Sequence, residues 1–486
     1  MYIEKEIKEN IKSNIYLIYI FTEEEDRLET ILTKVNEIFS TKPILIWDFI
    51  DGYKNQPDSF SSCKQNPLEA LTIIEKSSKT KKELFWLKDF DLFLNDLSIN
   101  RKIKNLHRWL KNNKKYVFLS GITNKIPSNL EEYIESIKLP LPNEQEIKLE
   151  VDGFLTKTNI SLSKQDKMIH KIYTGFSIKK IRLSLLKILK KNLTIKEIIN
   201  NISLDKEKII DKIEGLKFCH ISNETIDLGG LENLRVWLEI RKLAFSREAN
   251  AYGIKIPKGI LLVGIQGTGK SLSAKTTAKQ WNLPLIKLDI GKIFGSTLGE
   301  SENRIERAIE ICTTIAPCIL WIDEIDKIFT KYNNNDSGTT QRVTNIFLTW
   351  LSEKKDEIFI VATANRINNI PIEMLRKGRF DEIFFVDLPK FKDRMKIFQL
   401  HLKKIRPFTW NYYNIYYFSK ISKGFSGAEI EQAISEAMYI GFNEKREFTT
   451  KDIIISIKSV IPISKIHSSK ILELRSWGYS GNVKIA

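Results

Sequence analysis

The run KGILLVGIQGTGKS, Lys258 to Ser271, constrains the fold of this chain more than any other. Ile260 to Val263 form a short apolar run that predicts a buried strand. The spacing Gly264-x-x-x-x-Gly269-Lys270-Ser271 then predicts a loop wrapped around phosphate. Glycines let backbone N–H groups curl around phosphate oxygens where a Cβ would clash. Lys270 reaches the β- and γ-phosphates, and Ser271 offers its hydroxyl to Mg²⁺. The following segment, SLSAKTTAKQW, predicts a helix whose positive end faces the same anion. The expected nucleotide contacts are Gly264, Ile265, Gln266, Gly267, Thr268, Gly269, Lys270, Ser271 and Leu272.

Two further strand ends carry matching chemistry. Cys318 to Ile322 reads as a buried strand ending in Asp323-Glu324. A carboxylate there can hold Mg²⁺, and the next one can polarise an attacking water. Phosphoryl transfer asks the protein mainly for such positioning and charge neutralisation. The plainer role, a cap on the helix IDKIFTKY, is weighed against the P-loop already in place. Ile358 to Ala362 reads as a third strand, running into Thr363-Ala364-Asn365-Arg366, where the Asn365 amide can position the water. Arg376 and Arg379, in LRKGRFD, fit fingers that reach a neighbouring subunit's phosphate, since guanidinium is planar and permanently charged. Their plainer role is a surface ion pair between Arg379 and Asp381.

Bulk properties narrow the class. At 486 residues and 42% hydrophobic, the chain can fold as about two to four domains. No run approaches the roughly 18 unbroken apolar residues of a membrane span. The start, MYIEKEIKENIK, lacks a signal-peptide core and the acid-poor character of a transit peptide. The four cysteines form no C-x-x-C pair, and the five histidines no H-E-x-x-H, which argues against disulfide frameworks and zinc sites. The net charge of +17 is compatible with a nucleic-acid partner. Its basic patches are short (KTKK at 79–82, KILKKN at 187–192), and a composition rich in Ile, Lys and Asn explains the lysines equally.

The run IDLGGLENL (226–234), the P-loop, LGESENRIERA (298–308), the Asp-Glu strand, TANR, LRKGRFD and GFSGAEIEQAI (424–434) follow in the order found in AAA ATPases. The resemblance covers roughly residues 220–477. It implies a P-loop NTPase three-layer α/β/α core over 226–389, then a helical lid and tail over 390–486. It implies a homo-oligomeric ring, hexameric, with ATP and Mg²⁺ at the interfaces. It further implies that Leu228 and Gly229 touch adenine and that Asn365 is a sensor. Arg376 and Arg379 become fingers in trans, while Gly427 and Ala428 close over the nucleotide from the lid.

The first half holds weaker echoes of the same order. LFWLKDFD (84–91) aligns with ILWIDEID (319–326), with Lys88 at the place of Asp323. NIYLIYIF (14–21) stands where the P-loop strand would be, but TEEEDR follows, whose acids repel phosphate. KYVFLSGITNKIP (115–127), KLPLPNEQEIKL (138–149) and TGFSIKKIRLSLL (174–186) match later landmarks in order. Residues 1–205 are therefore expected to be a degenerate AAA-like α/β module without nucleotide motifs, with 206–225 as linker. Chance likeness between α/β domains is the competing account. With no metal to repel, Lys88 is expected to pair with Asp89 or Asp91.

A worn module ahead of one intact module, with a tail near ILELRSW (471–477), resembles the conserved chloroplast reading frame forty-six family. That implies synthesis inside a plastid. A pore loop of the threading type carries an aromatic, yet Thr297 stands at that place in Ser296-Thr297-Leu298-Gly299, with Phe294 three residues early. This favours brief remodelling of protein complexes over processive unfolding. An ATPase acting on nucleic acid and a nucleotide-gated scaffold remain as alternatives. The aromatic run TWNYYNIYYF (409–418) reads as lid packing or as a base-stacking surface. The protein client is open.

Overall fold

The computed structural model describes the chain apart from residues 1, 41, 55–62, 78–82, 124–125, 158–172, 192–194, 212–213, 221–227, 294–299, 331–336 and 482. The KTKK patch, the pore-loop positions Phe294 and Thr297, and the start of IDLGG fall outside the described residues. The chain divides into two compact units, Met1–Asn192 and Leu193–Ala486.

The first unit is built on a sheet of β1 (Leu17–Phe21), β2 (Leu45–Asp48), β3 (Gly52–Lys54), β4 (Leu84–Leu87), β5 (Tyr116–Gly121) and β6 (Glu135–Lys138). Their order is β3-β2-β4-β5-β1-β6, parallel throughout except for the β2–β3 hairpin. Ile18, Ile20, Trp86 and Phe118 bury one face, and Tyr19, Trp47, Leu87 and Leu119 the other. Parallel strands read as continuous apolar runs because helices cover both faces.

The second unit follows the same principle. Its strands are β7 (Leu216–Cys219), β8 (Gly259–Gly264), β9 (Leu285–Leu288), β10 (Cys318–Ile322), β11 (Ile358–Ala364), β12 (Glu382–Val386) and β13 (Lys484–Ile485). Leu261, Val263, Leu320 and Ile360 face one helical layer; Ile260, Leu262, Ile319 and Val361 face the opposite one. The result is a three-layer α/β/α core. Its order is β13-β12-β8-β11-β10-β9-β7.

Strand for strand, β6-β1-β5-β4-β2-β3 of the first unit matches β12-β8-β11-β10-β9-β7 of the second. Each series ends in an antiparallel edge strand, although β3 follows its partner in the chain and β7 precedes it. The paired motifs LFWL and CILWI thus occupy the same place, β4 and β10. The likeness extends beyond the strands. Asp89 and Glu324 both adopt left-handed backbone, with φ of 48° and 51°. Asp91 and Asp326 are both buried and both hold the backbone beyond the next strand. Asp91 Oδ2 accepts the N–H groups of Ile122 and Thr123 at 3.0 Å, and Asp326 Oδ1 that of Asn365 at 3.2 Å.

Lys88 does not pair with Asp89 or Asp91 as expected. Its ammonium lies 3.3 Å from Glu25 and 3.6 Å from Glu29, above the Trp86 ring. Asp91 is committed to backbone amides, whereas the helix Glu25–Phe39 after β1 brings two carboxylates within reach.

The stretch 206–225, expected as a linker, instead carries the end of the helix Ile195–Ile210 and the edge strand β7. The lid consists of the helices Phe391–Ile405, Ile415–Ile421, Gly427–Asn443 and Thr450–Ser459 around Phe398, Phe418, Ile434 and Ile453. The aromatic run divides. Phe418 is core and Tyr413 stacks on Phe448 at 5.0 Å, while Tyr412 and Tyr416 are exposed. Beyond the lid the chain returns to the core. The helix Ser468–Gly478 lays Gly478 on Phe385, so closely that a Cβ would come within 2.2 Å of the ring. Arg475 pairs with Asp387 at 3.0 Å, and β13 then adds to β12.

Candidate functional site

The P-loop joins β8 to the helix Lys270–Trp281. Gly264 lies where the strand ends meet; a Cβ there would come within 2.0 Å of the Val386 carbonyl oxygen. Gly267 has φ of 75°, and a Cβ would crowd Ser426 and Ala428 of the lid. Glycine is required at both positions for these reasons.

Lys270 is buried at the first turn of its helix. Its ammonium donates to the carbonyls of Gly264 at 2.7 Å and Ile265 at 2.6 Å. Burial pushes its pKa down to about 8, with Asp326, Asp323 and Glu324 opposing that shift.

Three strand ends converge on this lysine. Asp323 follows β10, and its Oδ1 accepts the hydroxyls of Ser271 at 2.9 Å and Thr363 at 2.7 Å. Thr363 Oγ1 also accepts the N–H of Glu324 at 3.0 Å. The Asn365 amide donates to Glu324 Oε1 at 3.0 Å, and Lys327 pairs with the other oxygen. Two carboxylates, two hydroxyls and an amide thus form one connected network beside the P-loop. Lys287 on β9 flanks it, 3.6 Å from Asp323 Oδ2 and above the Trp321 ring.

The cleft above the loop has a volume of about 700 Å³. Leu228, Gly229, Gln266 to Leu272, Asp323, Glu324, Asn365, Gly427 and Ala428 all line it. Gly264 and Ile265 contribute carbonyls to Lys270 from the base of the loop. Gly229 packs on Ile397, where a Cβ would be 2.6 Å from the side chain. The lid docks through Ala428, whose N–H donates to the Gly267 carbonyl at 3.1 Å.

Arg376 and Arg379 stand apart from this cleft. Arg376 is exposed, and Arg379 Nη1 is buried without a hydrogen-bond partner among the described residues. Among those residues no ion pair joins Arg379 to Asp381. Asp381 instead accepts the Gly259 N–H at 2.9 Å.

Several lining residues carry no signal in the sequence. Ile397, Leu400, His401 and Lys404 reach the cleft because spacings of three and four share one helix face. That face cannot be aimed before the lid is docked. Burial lowers the pKa of His401, with Glu431 opposing. The hydroxyl of Thr363 was within reach of sequence reasoning, two residues ahead of Asn365 on one strand, but only geometry makes it the bridge between the two acids.

The donor set suits a magnesium nucleotide. A hydroxyl and a carboxylate are already joined, a buried ammonium faces loop carbonyls, and Leu228, Ile397 and Leu400 offer apolar surface to a base. Such a core and site define a P-loop nucleoside triphosphatase. Residues 260–388 match the ATPase family associated with various cellular activities (AAA), and residues 3–139 match the SpoVK-like AAA ATPase N-terminal domain. The chain is 47% identical over 474 residues to the AAA domain-containing protein ycf46 of Gracilaria tenuistipitata var. liui, covering 97% of this chain and 96% of that protein. It is 47% identical over 490 residues to the ycf46 protein of Guillardia theta, covering 99% and 96%. A proteasome-activating nucleotidase of Saccharolobus islandicus (strain M.14.25 / Kamchatka #1) matches at 33% over 246 residues, 48% of this chain and 61% of that protein. The chain belongs to the AAA ATPase family, among the AAA domain-containing ycf46 proteins.

Proposed function

We propose that this chain is a Mg²⁺-dependent ATPase that remodels protein complexes in the plastid as a homo-oligomeric, six-membered ring. The observation that carries the reading is the network Ser271–Asp323–Thr363–Glu324–Asn365 beside Lys270. Ser271 and Asp323 would hold the metal, which would neutralise phosphate charge. Lys270 leaves the loop carbonyls for the phosphates. Glu324 orients and deprotonates the attacking water, held by Asn365 so that its carboxylate faces the cleft. Leu228 and Gly229 receive the base, and Gly427 and Ala428 close the cleft.

Arg376 and Arg379 act on a neighbour's nucleotide. Their separation from their own chain's cleft supports that role. The likeness to ycf46 proteins of algae supports a plastid setting. The ring, and remodelling as its output, rest on the family and on the nucleotidase likeness. The first unit is a nucleotide-free companion of the same ancestry. The matched strand order and the paired roles of Asp91 and Asp326 support this.

Steady-state turnover against chain concentration tests the reading, beside Glu324→Gln. A rate per chain that rises with concentration and vanishes in the variant, while ATP still binds, is expected. A measurable rate that stays flat with concentration sinks the trans arrangement.

A further inference from the structure

A second cleft, of about 420 Å³, opens beside the nucleotide site. Gln266 and Asn365 line both. One wall is the segment after β11, from Asn365 to Asn369, and the other is the tail helix Ser468–Gly478 with Ile463. Ile265, Ile471, Ile463 and Leu474 pack together as its apolar floor.

Basic side chains crowd one part of its rim. Arg366, His467 and Lys470 line the cleft and are exposed. Among the described residues, none of the three makes an ion pair or a side-chain hydrogen bond. Two of them sit at the N-terminal end of the tail helix, His467 as its cap residue and Lys470 in its first turn. That end has no acidic residue in its first turn and no side-chain cap. Cations are unfavourable there, because the helix dipole is already positive at its N-terminus. Asn369, half-buried, adds an Nδ2 donor without a hydrogen-bond partner among the described residues. Among the described residues that line the cleft the one carboxylate is Glu473, which accepts the Asn368 amide at 2.6 Å. An uncapped helix end, two unpaired cations, an imidazole and an orphaned donor around an apolar floor are satisfied together by an anion with a short apolar body.

We propose that this cleft binds a small amphipathic anion, a carboxylate or phosphate monoester, and that its occupancy is coupled to the nucleotide site. The anionic head meets Lys470, His467, Arg366 and the helix end. The apolar body lies on Ile265 and Ile471. Coupling follows from shared parts. The Ile265 carbonyl is a partner of the Lys270 ammonium, and Asn365 holds Glu324. A ligand that fixes Ile265 and the 365–369 segment therefore changes nucleotide affinity, and nucleotide changes its affinity by the same factor.

Hexyl phosphate is the probe, titrated calorimetrically into the full chain with and without saturating ADP. Hexylammonium, hexanol and inorganic phosphate serve as comparisons. Hexyl phosphate is expected to bind about tenfold or more tightly than each of these. It is expected to remain bound under saturating ADP, with an affinity shifted about fivefold or more by the nucleotide. Lys470→Glu, with an unchanged melting temperature, is expected to lose about tenfold in hexyl phosphate affinity and to keep its ADP affinity in the absence of hexyl phosphate. His467→Gln, which adds no charge, is expected to lose less in the same direction. Absence of binding overturns the proposal, as does equal binding of hexanol, full competition by ADP, or unchanged affinity in both variants. Failure of ADP to bind would count against the ATPase reading, while the Lys470→Glu comparison still decides this cleft.

Discussion

The Glu24 carboxylate accepts the backbone N–H of Ile178 at 2.6 Å, at the start of the helix Ile178–Lys191. Glu24 also holds Arg27 at 3.0 Å, and Arg27 reaches Glu146 at 2.8 Å. In the second unit the counterpart elements meet through a backbone hydrogen bond, Ala428 N–H to Gly267 carbonyl. The local turns agree. Gly175 and Gly424 have φ of 89° and 85°, and Ser177 and Ser426 each accept the N–H three residues on. The first unit thus holds its lid-like helix with its own carboxylate, at the place where the second presents a phosphate-binding loop.

Glu24→Ala is therefore expected to loosen the helix Ile178–Lys191 against its unit. The loss is about 1.5–3 kcal/mol, the range for hydrogen bonds to charged groups. Hydrogen exchange over residues 178–187 reads it. In the unaltered chain ATP and ADP are expected to leave exchange over residues 17–30 unchanged while protecting 264–281. Nucleotide-dependent protection of 17–30 would overturn the account of a self-held site.

Thr363 is a positioning residue. Its hydroxyl joins the carboxylate of Asp323 to the backbone of Glu324, and Glu324 is held with φ of 51°, a costly conformation for a side-chain-bearing residue. Thr363→Val keeps the shape and removes the hydroxyl. Turnover is expected to fall about 10–100-fold, the usual cost of losing an outer partner of a metal ligand. Nucleotide affinity measured with EDTA is expected to hold, and Thr363→Ser to recover most of the rate. Wild-type turnover in Thr363→Val refutes the role.

Lys270 gives the site a proton signature. Burial holds its ammonium at about 8, below its ordinary value, so near pH 8.5 much of it is neutral. Phosphate beside it restores the charged form and raises that pKa. Nucleotide binding is therefore expected to take up protons above about pH 8 and to take up almost none from this group at pH 7. Titration calorimetry at pH 8.5 in buffers of different ionisation enthalpy measures the uptake. Lys270→Met is expected to remove the buffer dependence, at a large cost in affinity. Proton release at pH 8.5 would contradict the assignment.

The parts of this site that were legible in the sequence are those whose signal is local. Gly264, Lys270, Ser271 and the Asp323-Glu324 pair announce themselves because loop, helix start and strand end each demand particular residues within a few positions. The register of LFWLKDFD on ILWIDEID was equally local, since both are strands with one turn attached. The partner of Lys88 was not, because Glu25 and Glu29 lie some 60 residues away in sequence and meet it only across the parallel sheet. The same limit hid β7 inside the presumed linker and β13 inside the tail. A strand of two to four residues has too few positions for an alternating pattern to emerge. The cationic end of the tail helix needed its neighbour Arg366 in place before its charge became informative.

Arg379 leaves the sharpest test of assembly. Among the described residues its Nη1 is buried without a partner, and Arg379 does not line the cleft of its own chain. Arg379→Ala and Arg376→Ala are each expected to lower turnover by a factor of about 10³ or more, the scale of an arginine finger supplied in trans. Arg379→Ala retains an intact Lys270, Asp323 and Glu324. Glu324→Gln retains both arginines. Neither variant is expected to turn over ATP alone at an appreciable rate, whereas a mixture would place an intact site against an intact finger. Activity is expected to return on mixing, rising to a maximum at intermediate proportions. A mixture as inactive as its parents, with co-assembly shown by co-purification of differently tagged variants, would mean that the arginines serve their own chain, and the ring mechanism would fall with them.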